Sequence, residues 1–177
     1  ACIFCQNYQI SHERIGNPVS ISQLANEYLH LQAVGCENIN WVTPTPHLPF
    51  LVDALASAVE QGLKIPVVYN TNGYDRVEVL RLLDGIVDIY LPDMKYGEDV
   101  WAEEYSGLKD YFTINVAAVR EMYRQVGPLI INENGVAVKG LLVRHLVLPD
   151  GRSGSARIFR ALAEIDPQIP VSLMAQY

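Results

Sequence analysis

Short β-branched runs alternate along this chain with longer stretches whose apolar residues recur at helical spacing, and this alternation constrains the fold more than any other feature. Residues 20–34 place Ile21, Leu24, Tyr28, Leu31 and Val34 on one helical face, after Ser20 as a cap and before Gly35 as a stop. Residues 38–43, with Ile39, Trp41 and Val42, predict a short buried strand. A helix follows over 49–62, with Leu51, Leu55 and Val59 on one face and Gly62 at its end. The pattern then repeats as strand 65–69, helix 75–83 and strand 86–91. Strand-then-helix repetition is the mark of parallel β/α units, because a parallel pair needs a crossover between its strands.

The second half continues the theme with one interruption. Residues 99–105 and 113–126 predict helices, the latter with Val116, Val119, Met122, Tyr123 and Val126 on one face. Asn132-Glu133-Asn134-Gly135 between two apolar runs predicts a hairpin or turn excursion over 129–138. Strand 141–148, helix 155–165 and strand 171–175 close the series. The expected fold is α/β: a partial TIM-like (β/α)6 barrel of parallel strands, clipped at both ends, with five complete strands and a clipped first one. With 177 residues, half of them hydrophobic and 19% charged, the chain suffices for one core, and residues 1–177 are read as a single domain.

A net charge of −7 argues against nucleic acid as a partner, since phosphate binding draws on clustered Lys and Arg. The longest apolar run is far short of a membrane span and no signal-peptide pattern stands at the start, so no membrane association is expected. Three cysteines, two of them in a ligand-type pair, fit a reducing cytoplasm better than a disulfide framework.

That pair is Cys2-Ile3-Phe4-Cys5. Two thiolates three positions apart can converge on one metal or cluster, but redox dithiols, zinc sites and chance pairs share the spacing. Cys36 reads as a core or helix-end thiol.

Chemistry in β/α barrels gathers at the carboxyl ends of the strands. There this chain carries Thr43 and Thr45 after the second strand, counting the clipped one, Asn70 and Asn72 after the third, and Asp93 and Lys95 after the fourth. Asn70–Gly73 also reads as an ordinary turn, and Asp93 with Lys95 as a surface ion pair. Arg144 interrupts an apolar strand and needs a partner, which a ligand carboxylate would provide; it also reads as an Arg facing the helix layer or pairing with Glu133. His145 alternates to the opposite face and reads as a packed or partly exposed histidine.

Taken together these motifs resemble the radical S-adenosylmethionine (SAM, AdoMet) enzymes. Cys2 and Cys5 look like the second and third cysteines of the family's Cys-x-x-x-Cys-x-aromatic-Cys, with Phe4 at the aromatic position. The first cysteine would fall ahead of residue 1, so the resemblance implies a fragment of a longer core. Residues 6–11 resemble one branch, the pyruvate formate-lyase activating-enzyme-like proteins. Asn70-Thr71-Asn72-Gly73 is similar to that branch's Asp-Thr-Asn-Gly, with Asn in place of Asp, and Asp93-Met94-Lys95 to its Asp-x-Lys. Thr43-Pro44-Thr45-Pro46 departs from the family's Gly-Gly-Glu-Pro and offers no carboxylate.

The resemblance implies a 4Fe-4S cluster held by Cys2 and Cys5, with SAM positioned by Phe4, Thr43, Thr45, Asn70, Asn72, Asp93, Lys95 and Arg144. It further implies reductive cleavage of SAM to a 5′-deoxyadenosyl radical that activates a glycyl radical enzyme such as pyruvate formate-lyase. The expected partners are that protein substrate and a flavodoxin or ferredoxin-type electron donor. Two alternatives stay open: a catalytically inactive protein-binding module with a free or zinc-bound Cys pair, and a radical SAM enzyme acting on a small molecule.

Overall fold

The computed structural model describes residues 3–5, 7–13 and 15–175. A short helix α1 (Tyr8–Ser11) leads to α2 (Ile21–Ala33), which opens as its sequence demands. The Ser20 hydroxyl accepts from Gln23 N–H while the Gln23 side chain accepts from Ser20 N–H, a capping box that satisfies two otherwise orphaned donors. At its other end Gly35 takes φ +87°, and the amides of Gly35 and Cys36 return to the carbonyls of Gln32 and Leu31. Only glycine adopts that left-handed turn without strain, so Gly35 ends the helix and Cys36 becomes a helix-end thiol.

Strands β1 (Ile39–Val42), β2 (Val67–Thr71) and β3 (Ile89–Pro92) follow in parallel, connected through α3 (Leu48–Glu60) and α4 (Val77–Arg81). All five residues of β2 are buried, as expected of a parallel strand covered on both faces. After β3 come α5 (Asp99–Ser106) and α6 (Tyr111–Val126), then the antiparallel pair β4 (Ile130–Ile131) and β5 (Ala137–Leu141). The Asn132 carboxamide accepts from the amides of Asn134 and Val136, making the hairpin turn that the Asn-Glu-Asn-Gly stretch predicts.

β5 also pairs with β3 in parallel, through Ile89 with Gly140 and Tyr90 with Leu141. The chain then breaks at Leu142 and continues as β6 (Val143–Leu146), which meets β3 again through a bridge between Asp93 and Arg144. Helix α7 (Ser155–Ile165) returns the chain to β7 (Val171–Met174), parallel to β6. The described residues therefore form an arc of five parallel staves: β1, β2, β3, the β5–β6 strand and β7. This is the expected α/β architecture of a partial barrel.

Boundaries move where tertiary partners outweigh local pattern. The fourth full strand begins at Ala137 rather than 141, because the outgoing arm of the hairpin is itself the parallel stave. β2 runs on through Asn70 and Thr71, beyond the apolar run, since both polar side chains find partners inside. Helix α4 starts at Val77, not 75, because Asp75 is drawn into a buried network instead of a helical first turn.

The main core joins Tyr69 and Tyr90 on the staves to Ala54, Ala58, Leu80, Val119 and Met122 on the helices. A second apolar cluster, built on Tyr96, Tyr111, Leu146 and Leu148 and joined by Phe4, Trp101 and Tyr105, sits beside the C-terminal ends of the staves. None of the described helices is long and apolar enough to cross a membrane.

Candidate functional site

The carboxyl ends of the staves and the segment around Phe4 enclose a cavity of about 320 Å³. Val42 and Thr43 contribute from β1, Asn70, Thr71 and Asn72 from β2, Asp93 and Lys95 from β3, Arg144 and Leu146 from β6, and Met174 from β7. Phe4, Cys5 and Asn7 form the facing wall, and Tyr96, Ser106, Leu108 and Tyr111 complete an aromatic end. Of the residues singled out from sequence, Phe4, Cys5, Thr43, Asn70, Asn72, Asp93, Lys95 and Arg144 thus come together on one surface. Cys2 lies outside the described residues.

Thr45 is the exception and corrects the sequence expectation. It does not line the cavity. Its hydroxyl donates to the buried Asp75 carboxylate at 2.8 Å, joined there by the hydroxyls of Tyr69 at 3.2 Å and Thr71 at 2.6 Å. These donors hold a buried anion in place of a cation, and they tie the loop after β1 to the end of β2. Burial, reinforced by the Asp75 charge, pushes the Tyr69 phenol well above its ordinary value, so it stays a donor. Thr43, between strand and loop, takes φ +51°, and its amide donates to the Asn70 carbonyl at 2.8 Å. A β-branched residue in that region is strained, and here the strain falls on the cavity wall.

The charged end of the cavity is one connected network. Asp93 accepts from Lys95 Nζ through one oxygen and from Arg144 Nε at 2.8 Å through the other, while Arg144 Nη2 donates to the Asn70 carboxamide at 2.7 Å. Arg144 is therefore partnered by Asp93 and Asn70, and the alternative of Glu133 is not realised. Nor is Asp93 with Lys95 an ordinary surface pair: their side chains keep only 12% and 17% exposure, and Arg144 27%. Two cations against one carboxylate leave an excess of one positive charge facing the cavity. In a partly desolvated site that excess favours an anionic group such as a ligand carboxylate, which the Arg144 fork can bind with directionality.

Several contributors gave no signal in the sequence. Tyr111 is buried at the head of α6, and its hydroxyl accepts from Lys95 N–H at 3.1 Å and reaches the carbonyls of Asn72 and Asp93. Asn115, one turn on, donates to the carbonyls of Gly73 at 3.0 Å and Asp93 at 2.9 Å. Gly73 has φ +75°, and a Cβ there would collide with the Asn115 amide and the Asp93 carbonyl, so the close approach requires glycine. Helical spacing marks Tyr111 and Asn115 as one face of α6, but the loops that face meets depend on the tertiary fold. His145 is fully buried opposite Arg144, between the Met94 carbonyl at 2.6 Å and the Ser155 hydroxyl at 2.8 Å.

The Phe4 wall is held differently. Ile3 N–H donates to the Tyr105 carbonyl at 2.9 Å, and the Phe4 ring meets Tyr96 and Tyr105 edge-on at 6.3 and 6.4 Å. Among the described residues no group of three or more His, Cys, Asp or Glu side chains is placed to hold a metal ion.

No protein-family model matches the chain. It is 32% identical over 188 aligned positions to an uncharacterized protein of Methanocaldococcus jannaschii, with 99% of this chain and 50% of that protein covered. The chain thus spans about half the length of the curated relative it matches. Among solved structures it is similar to native anSMEcpe with bound AdoMet, at a TM-score of 0.60 and 12% identity, over 99% of this chain and 48% of that one. The likeness shows a shared fold.

Proposed function

We propose that the cavity binds S-adenosylmethionine and that the chain is the core of a radical SAM protein. The observation that carries this reading is the Asp93–Lys95–Arg144–Asn70 network, cationic by one charge, at the carboxyl ends of parallel staves and across the cavity from Phe4 and Cys5. A ligand with a carboxylate at one end and a flat heterocycle at the other fits such a site. Arg144 and Lys95 receive the carboxylate, Asn70 and Asn72 offer amides to hydroxyls, and the aromatic end with Phe4 takes the ring. The shared fold with a structure that holds AdoMet supports the same ligand.

For the cluster, the described residues supply one thiol on the cavity wall, Cys5, and Cys2 is the second candidate ligand. When bound, an iron–sulfur cluster beside AdoMet would supply one-electron chemistry. The residues of this chain would meanwhile orient AdoMet through the charged network at one end and exclude water around its ring with Phe4, Tyr96 and Leu108 at the other. Activation of a glycyl radical enzyme, with a flavodoxin or ferredoxin-type donor, is the substrate reading that the Asp93-Met94-Lys95 motif favours.

The test is anaerobic iron–sulfur reconstitution of the protein, followed by electron paramagnetic resonance of the reduced sample with and without AdoMet, beside calorimetric titration of AdoMet. A cluster signal altered by AdoMet, lost in Cys5→Ser, is expected. Zinc or no metal bound, together with no heat on AdoMet addition, would sink the reading. A calorimetric response that survives Arg144→Leu unchanged would remove the charged network from it.

A further inference from the structure

The tripeptide Asp93-Met94-Lys95 carries two charged side chains of the cavity, and every backbone hydrogen-bonding group that places them, from the Asp93 amide to the Lys95 amide, is engaged. Asp93 N–H donates to the Thr71 carbonyl at 2.9 Å and Met94 N–H to the Arg144 carbonyl at 2.8 Å. Lys95 N–H donates to the Tyr111 hydroxyl. The two carbonyls between them are held from behind by two side chains that do not line the cavity, Asn115, which donates to Asp93 O beside the Tyr111 hydroxyl of the cavity's aromatic end, and His145, which faces Met94 O. Met94 itself is fully buried and anchors the middle of the segment.

Two features set these bonds apart from ordinary packing. Asn115 leaves its own Oδ1 buried with no hydrogen-bond partner, an arrangement that costs stability and that an apolar residue of similar volume would avoid. The structure tolerates it where the two amide protons reach Gly73 O and Asp93 O, the loops that carry Asn72 and Asp93. His145 is held below its ordinary imidazole pKa by burial, and the neutral ring that donates from Nδ1 to Met94 O can accept from Ser155 at Nε2.

We propose that Asn115 and His145 are positioning residues that act through the Asp93 and Met94 carbonyls to fix the spacing between the Asp93 carboxylate and the Lys95 ammonium, and so set the cavity's affinity for its ligand. The affinity part rests on the AdoMet reading above. The backbone clamp stands without it.

The experiment uses Asn115→Leu, which removes both donors at similar volume, and the pair His145→Leu and His145→Asn, of which the second returns a donor near the Nδ1 position. Three quantities are read: thermal midpoint, backbone amide exchange, and AdoMet affinity by calorimetry. Losing one or two such bonds is expected to speed exchange at the Met94 and Lys95 amides about tenfold and to weaken AdoMet binding about tenfold. Amides of β1 and α3 should keep their rates, and His145→Asn should recover most of both effects. Unchanged exchange at Met94 and Lys95 in folded Asn115→Leu or His145→Leu overturns the proposal. So does acceleration spread evenly over the core, which is the mark of a merely structural role. Should Asn115→Leu fail to fold, the His145 pair decides alone. A wild-type protein that binds no AdoMet, but whose Met94 and Lys95 amides respond as described, removes the ligand reading and keeps the clamp.

Discussion

The two walls of the cavity are built on opposite principles. On the side of the staves, backbone and side chains are locked from behind: Asp75 collects three hydroxyls, and Asn115, Tyr111 and His145 hold the loops that carry Asn72, Asp93 and Lys95. On the facing side, Ile3, Tyr8 and Ile10 are 75%, 54% and 68% exposed, and the contacts of the segment with the rest of the fold include a backbone bond from Ile3 to Tyr105 and the Phe4 ring against Tyr96 and Tyr105. A wall whose polar groups, the Asn115 Oδ1 apart, are answered in the interior shares the stability of the core, whereas a wall with exposed apolar side chains opens locally at less cost. The difference separates residues that pre-organise the charged end of the cavity from residues that line it from the opposite side.

Breaking the first wall should have the largest effect. Gly73→Ala forces a side chain into left-handed backbone and against Asn115 and Asp93, and is expected to cost roughly 3 kcal/mol, measured by denaturant unfolding. Next comes Asp75→Asn, which removes the anionic acceptor of Thr45, Tyr69 and Thr71 at constant shape and should cost about 2 kcal/mol. Wild-type stability in Asp75→Asn would show that the hydroxyls find other partners and that this wall is less locked than its hydrogen bonds imply.

A gentler probe of the same wall is pH. Burial depresses the His145 pKa in the folded state, so the unfolded chain binds more protons over the window below 6.5. The stability associated with neutral His145 is full above that value and declines as pH falls toward the folded-state pKa. Thermal midpoints across this window should drop for the wild type and drop less for His145→Asn.

The second wall should respond least. Phe4→Ala removes the edge-on contacts with Tyr96 and Tyr105 and is expected to lower global stability by no more than about 1 kcal/mol. The Ile3 amide should nevertheless lose its protection in hydrogen exchange. A large global loss would put both walls in one cooperative unit and erase the contrast drawn here.

Much of this molecule is legible from local pattern. The capped helix from Ser20 to Gly35, the Asn132–Gly135 turn and helix 155–165 lie where the sequence puts them, because each depends on neighbours in the chain. The alternation of strand and helix likewise leads to parallel staves, and the rule that polar residues gather at their carboxyl ends brings Asn70, Asp93, Lys95 and Arg144 to one cavity. Tertiary partners decided the rest. Thr45 turned to Asp75 instead of the cavity, and Arg144 chose Asp93 over Glu133. His145 and Asn115, ordinary in a linear reading, became the holders of the Asp93-Met94-Lys95 backbone. The physical reason is the same throughout. Periodicity and capping are short-range and are written residue by residue, but which donor answers a buried carbonyl depends on elements far apart in the chain that only packing brings within 3 Å, as between Asn115 and Asp93 at 2.9 Å.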